Sequence, residues 1–210
     1  MSYTMTYDSL LVDLRRYLER GFTLESDEIV YEQLPRLITL AERRIARELK
    51  IEGFIKAVTT PLVPGVAVYM KPDRWRDTVS MTTVANPLFA RSYEYIRSYW
   101  PDEAETAAPA YYADYDYQHW IIAPTPSTAQ TVEILFYEQP RFLGEEFQTN
   151  WLTEYAPDLL LYSSLIEATP FLKNDERVQL WQAMYDRAAQ ALNGEDLKRI
   201  MDRSANRSEA

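Results

Sequence analysis

The sequence predicts an α+β protein: a helical bundle drawn from both chain ends, with a β-rich lobe inserted between its second and third helices. Three observations predict it. Near both ends, apolar residues recur every three or four positions, as on one face of a helix. The middle, from about residue 53 to 140, reads as short strands separated by turns. The five glycines all fall at junctions between these stretches, where freedom at positive φ is useful. The expected boundaries are 1–52 and 150–194 for the bundle, 53–149 for the lobe and 195–210 for a C-terminal extension.

A first helix is expected over 7–20, where Leu10, Leu14, Tyr17 and Leu18 form a stripe that ends before Gly21. The second, over 28–51, carries Leu37, Ala41, Ile45 and Leu49 on one side and Arg36, Arg43, Arg44 and Arg47 on the other. Pro35 lies inside that pattern and calls for a kink or a late start, because proline lacks an N–H and clashes with the preceding turn. Gly53 introduces a strand over 54–63, and Pro64-Gly65 turns the chain into another over 66–70. Tyr93, Ile96 and Tyr99 mark one short helix within the lobe. His119 sits on an alternating strand, which a proline-rich turn (Ala123-Pro124-Thr125-Pro126) joins to a strand over 131–137.

The C-terminal third is the best punctuated. Asn150 is a good N-cap for a turn holding Trp151 and Tyr155. Pro157 and Asp158 restart the helix, since proline is tolerated at a first helical position and an acid there suits the helix dipole. Leu159, Tyr162, Leu165 and Ile166 make its stripe, and Pro170 stops it. Asp175 should cap the last helix, whose apolar positions Val178, Trp181, Tyr185, Ala188 and Leu192 lead to a stop at Gly194. Trp151, Tyr155, Trp181 and Tyr185 are expected in the bundle core. Beyond Gly194, Leu197, Ile200 and Met201 keep helical spacing, with Lys198 among them, before the chain turns polar.

Composition excludes several classes of function. With no cysteine, there can be no disulfide, thiolate nucleophile or cysteine-ligated metal, and one histidine cannot build an imidazole cluster. No apolar run approaches the length of a membrane span. The first residues lack the basic start and apolar core of a signal peptide, so synthesis in the cytoplasm is expected. A net charge of −10 argues against phosphate-backbone binding as the main source of affinity. Residues 101–149 hold nine acids against one base, whereas residues 36–56 hold six bases against three acids. The acidic stretch reads as solvated surface, or as a field that lines a conduit or steers a basic partner.

Enzymatic patterns are missing for physical reasons. No two glycines lie within ten residues, so no loop can bring its backbone N–H groups close to a phosphate. Ser163-Ser164 sit between Tyr162 and Leu165 in a helix, not on a strained turn. His119 has no acid-and-serine pattern around it, and Glu145-Glu146 and Asp102-Glu103-Glu105 read as solvated surface. Asp114 and Asp116 could offer oxygens to a hard cation but lack the calcium-loop pattern. Tyr111, Tyr112, Tyr115, Tyr117 and Trp120, with Tyr93, Tyr95, Tyr99 and Trp100 upstream, fit a sheet core or a protein-contact surface. Nucleic-acid platforms interleave such rings with Arg and Lys, whereas Asp114 and Asp116 stand here.

The order of these pieces resembles the head-to-tail adaptor (connector) proteins of tailed bacteriophages, including adaptors and tubular tail proteins of short-tailed phages. The pieces are the long helix from Leu34 to Ile45, the strand and bend through Val68, Tyr69, Met70, Lys71, Pro72 and Asp73 to Trp75, and Tyr111-Tyr112. The Ala123-Pro124-Thr125-Pro126 turn follows, and Asn150-Trp151-Leu152 with Ala156-Pro157-Asp158-Leu159 completes the series. Lys71 stands where an apolar or small residue is more usual.

The resemblance implies a structural protein, not an enzyme, with no metal and no cofactor. It implies a ring of twelve copies under the portal protein, joined to tail (nozzle or tail-tube) proteins at the head–tail junction of the virion. DNA would pass through the bore without sequence-specific binding. Arg43, Arg44 and Arg47, with Arg36, read from the residues as a solvated helix face or as contacts with acids of residues 101–149 in a neighbouring copy. Leu197, Lys198, Ile200 and Met201 are expected to meet the portal. The rivals are another ring-forming tail-completion or stopper protein, and a carbohydrate-binding β domain using the Tyr/Trp cluster.

Overall fold

The computed structural model describes the backbone of residues 4–171 and 176–208, and the side chains of residues 4–170 and 176–195. The chain divides into two compact units, one of residues 1–54 and 140–210, the other of residues 55–139.

In the first unit, α1 (Tyr7–Leu18) begins with reciprocal bonds between Thr6 and Ser9, each side chain accepting from the other's N–H. Helix α2 (Glu28–Glu48) is capped by Asp27, which accepts from the Val30 N–H and is paired with Arg20 at 2.7 Å. It starts well before Pro35, so the proline causes no late start. Asn150 caps α4 (Trp151–Tyr155) by accepting from the N–H groups of Leu152 and Thr153. Pro157 opens α5 (Pro157–Glu167), as its fixed φ allows.

The last helix, α6 (Arg177–Ser208), passes through Gly194 without a break, so the glycine does not stop it. One helical glycine costs only about 1 kcal/mol relative to alanine, and the residues on both sides outweigh it. The expected Asp175 cap lies outside the described residues.

The expected helical bundle carrying a β-rich lobe does not hold: the protein is mixed α/β, with six α-helices and a seven-stranded curled sheet among the described residues. The reason lies in α5. Leu159, Leu160, Leu161, Ser163, Ser164 and Leu165 are all buried, so this helix is enclosed on nearly every side. It contacts α1, α2, α4 and α6, whereas α1 and α2 barely touch. A bundle in which each helix gives one stripe to a shared axis is therefore not formed. Trp181 and Tyr185 are buried in this unit, but Tyr155, expected in the core, is 68% exposed. One turn on from Trp151, Tyr155 stacks on that ring at 5.4 Å, and Trp151 alone reaches inward to Phe54 at 5.6 Å. A Cβ on Gly53 would lie 2.1 Å from the Trp151 ring, so glycine is required there by close approach.

The second unit holds β1 (Ile55–Leu62), β2 (Val68–Met70), β3 (Trp75–Thr83), β4 (Pro87–Ala90), α3 (Tyr93–Tyr99), β5 (Thr106–Ala107), β6 (Tyr111–Asp114), β7 (His119–Ala123), β8 (Thr125–Pro126) and β9 (Gln130–Glu138). The large sheet runs β1-β9-β3-β4-β6-β7-β2, antiparallel throughout except for β4 beside β6. Strands β5 and β8 form a separate parallel pair. Side chains from all seven strands meet in one core, from Leu62 and Met81 to Trp120 and Phe136, which requires the sheet to curl around them. On the other face of β6 and β7, Ala113, Ile121 and Ala123 pack under Ile96 of α3. Strand β7 is thus buried on both faces from Trp120 to Ala123, and the expected alternation does not hold there.

Candidate interaction surfaces

The α2 arginines divide by what surrounds them. Arg44 is half-buried: its Nε lies 2.9 Å from Glu48, its Nη1 lies 3.6 Å from Glu167, and its guanidinium sits 5.0 Å over the Tyr185 ring. The Tyr185 hydroxyl donates to Glu48, and burial raises the phenol well above its ordinary range. This cluster ties α2 to α5 and α6 within the chain. Arg43 and Arg47 are exposed instead. Arg43 leans over Phe142 at 5.1 Å, and the Arg47 Nε donates to the Arg43 carbonyl at 3.3 Å. Neither takes a carboxylate among the described residues. For Leu197, Lys198, Ile200 and Met201, only the backbone is described, as part of α6.

Four of the nine acids in residues 101–149 meet partners inside the second unit. Asp114 lies 2.7 Å from Lys71, Glu103 2.6 Å from Arg97, Glu138 2.6 Å from Arg74, and Asp116 2.9 Å from His119. The His119 bond, with the N–H groups of Gln118 and His119, holds the Asp116 carboxyl below the usual range. The sole histidine thus fastens the β6–β7 turn.

Lys71 is an unusual neighbour for this core. Its side chain is almost fully buried, donates to the Asp116 carbonyl at 3.0 Å and lies 3.6 Å over the Trp75 ring. Trp75 meets Trp120 edge-on at 6.1 Å, and both indole N–H groups donate to the Thr78 hydroxyl at 3.1 Å. Farther along the unit, Tyr95, Tyr99, Trp100 and Tyr111 stack in a chain of rings 4.7–6.4 Å apart, with Arg91 over Tyr95 and Tyr111. Tyr112 and Trp120 belong to the sheet core, while Tyr99, Tyr115 and Tyr117 face outward. The aromatic segment therefore serves both as core and as surface.

These features supply charged and aromatic contact surfaces. Among the described residues, no group of acids and histidines is placed to hold a metal ion, and no helix is long and apolar enough to cross a membrane. The family model of the SU10 adaptor protein matches residues 5–208. The chain belongs to that family. This SU10-type adaptor is accordingly a phage head-to-tail adaptor, a structural component of the virion that meets other head and tail proteins. No curated protein matches the chain.

One buried group in the adaptor escaped the sequence reading. Glu42 is fully buried on α2, where its carboxylate accepts from the Leu143 N–H at 3.1 Å and from Asn150 Nδ2 at 2.6 Å. Its position among Ile38, Ala41 and Ile45 was the available signal. Burial raises its pKa from 4.5 to about 7, while the two N–H donors oppose the rise. Among the described residues, no cation is paired with it. The folded state therefore holds this proton more tightly than the unfolded chain does, and stability should fall as pH rises from 4.5 to 7. The fall is on the order of 3 kcal/mol. Unfolding measured across that window should lose this slope in Glu42→Gln; a slope equal to wild type would remove Glu42 as its source.

Proposed function

We propose that this adaptor assembles as a ring of twelve copies beneath the portal protein, joins it to tail proteins and surrounds the channel through which DNA leaves the head. The family match carries the reading. A ring of one chain also needs two different complementary patches on each copy. Exposed Arg43 and Arg47 on α2 offer a basic patch, with Arg44 beside them braced by Glu48 and Glu167. Glu105, Glu133, Glu145 and Glu146, all exposed, belong to an acid-rich stretch that could meet it. Exposed pairs are worth only about 0–1 kcal/mol each, so register would come from repetition around the ring. An acidic channel wall would let a polyanion slide without sticking.

In this reading the end of α6, with Leu197, Lys198, Ile200 and Met201, docks on the portal, and the second unit faces neighbours or the tail. Native mass measurement of the adaptor alone and mixed with its portal tests both parts. The mixture should give a closed complex of defined stoichiometry. A chain ending at Gly194 should keep its fold and its self-association but bind the portal more weakly. A truncated chain with unchanged portal affinity would place the contact elsewhere, and a monomer that never joins the portal would end the ring reading.

A further inference from the structure

A pocket of about 240 Å³ opens between the β2–β3 bend and the β6–β7 turn. Its lining includes Met70, Lys71, Asp73, Trp75, Tyr117 and Gln118. Two of these are unusually open for apolar groups: Met70 is 75% and Tyr117 81% exposed. The Tyr117 ring stands nearly perpendicular to Trp75, at 81° and 6.4 Å, so the two rings form a corner. The cations nearby are already matched, Lys71 by Asp114 and Arg74 by Glu138. Asp116 is held by His119, while Asp73 is exposed and takes no cation among the described residues. With both lining cations matched, Asp73 is left as the carboxylate of the lining that no cation answers among the described residues.

We infer that this pocket receives the Arg47 side chain of a second copy of the chain, stacked against Tyr117 with its guanidinium facing Asp73. Arginine suits such a corner because its planar, weakly hydrated head both stacks on rings and pairs with carboxylates. An apolar anchor alone would leave the Asp73 charge unanswered. Arg47 is exposed and has no carboxylate partner in its own chain among the described residues, whereas Arg44 is already bound to Glu48 and Glu167 and the Arg43 guanidinium already lies over the Phe142 ring. Each copy thus bears one half of the contact on α2 and the other on the β2–β3 bend. Such a head-to-tail contact propagates from copy to copy instead of closing as a two-fold pair. The inference rests on the ring reading and gives it a seat.

The absence of cysteine makes the test clean. A full-length Arg47→Cys, Gln118→Cys variant is treated with a short bis-maleimide under conditions where sedimentation shows oligomer, alone or with the portal. A ladder of linked copies is expected, with neither single variant extending beyond a dimer. Asp73→Arg should weaken self-association by about tenfold, and adding Arg47→Asp in the same chain should restore it. Oligomers that yield no ladder, or a link formed only within one chain, would overturn the pocket assignment and leave the ring standing. A chain that stays monomeric at every concentration and with the portal would overturn the ring and the pocket together.

Discussion

Replacing Trp181 with alanine is expected to destabilise the protein by about 3–5 kcal/mol. The indole is 3% exposed on α6, the helix that packs against the enclosed α5, and Arg177 covers one side of it at 5.3 Å. Truncation removes a large apolar surface and leaves a cavity that α5, held on its other sides by α1, α2 and α4, cannot collapse to fill. In a chain of this length each kcal/mol moves the melting temperature by roughly 2–4 °C, so a drop on the order of 6–20 °C should be seen. Trp181→Phe should recover part of it. An unchanged melting temperature for the alanine variant would show that Trp181 does not hold the helices together.

Thr78→Val should cost nearly as much, in the other unit and for a different reason. Valine has almost the shape of threonine, so packing is kept while the one acceptor shared by two indoles disappears. Trp120 is 1% exposed, and its N–H would be left without a partner. A buried unsatisfied donor costs about 1–3 kcal/mol, and the partly buried Trp75 adds a smaller amount, for roughly 2–4 kcal/mol together. Thr78→Ser keeps the hydroxyl and should stay close to wild type. Denaturation followed by tryptophan fluorescence would decide it: equal midpoints for the valine and serine variants would mean the hydroxyl is not the acceptor that matters.

Local chemistry was readable in the sequence wherever a short-range rule decides it. Asn150 and Pro157 mark the starts of α4 and α5, and Tyr93, Ile96 and Tyr99 mark α3. What escaped depends on partners far along the chain. Arg44 looks like a solvated residue on a helical wheel, yet Glu167 and Tyr185 come to it from two other helices. Lys71 looked only out of place; its burial needs Trp75 below it and Asp114 from another hairpin. Tyr155 has helical spacing from Trp151 and does share its face, but it stacks on the outer side of that ring, so Trp151 meets Phe54 and Tyr155 stays exposed. His119 begins a strand whose alternation was lost because α3 covers the face that would otherwise be wet. Gly194 shows the same limit in reverse, since a local stop signal was overruled by the length of helix around it.

The way the chain passes between its two units has a consequence for its synthesis. Ile55 is in register with Tyr137, so the segment that makes the sheet starts and finishes on neighbouring strands and contains all its own partners. Made from the N-terminus, it is complete once Gln139 has left the ribosome. The first two helices have no such independence. The face of α2 that holds Leu34, Ile38 and Ile45 is covered in large part by α5, which is translated only after the whole sheet segment has been made. The nascent chain therefore carries an uncovered apolar helix face past a finished neighbour for most of its translation. That interval is when chaperones or unwanted association have access to it.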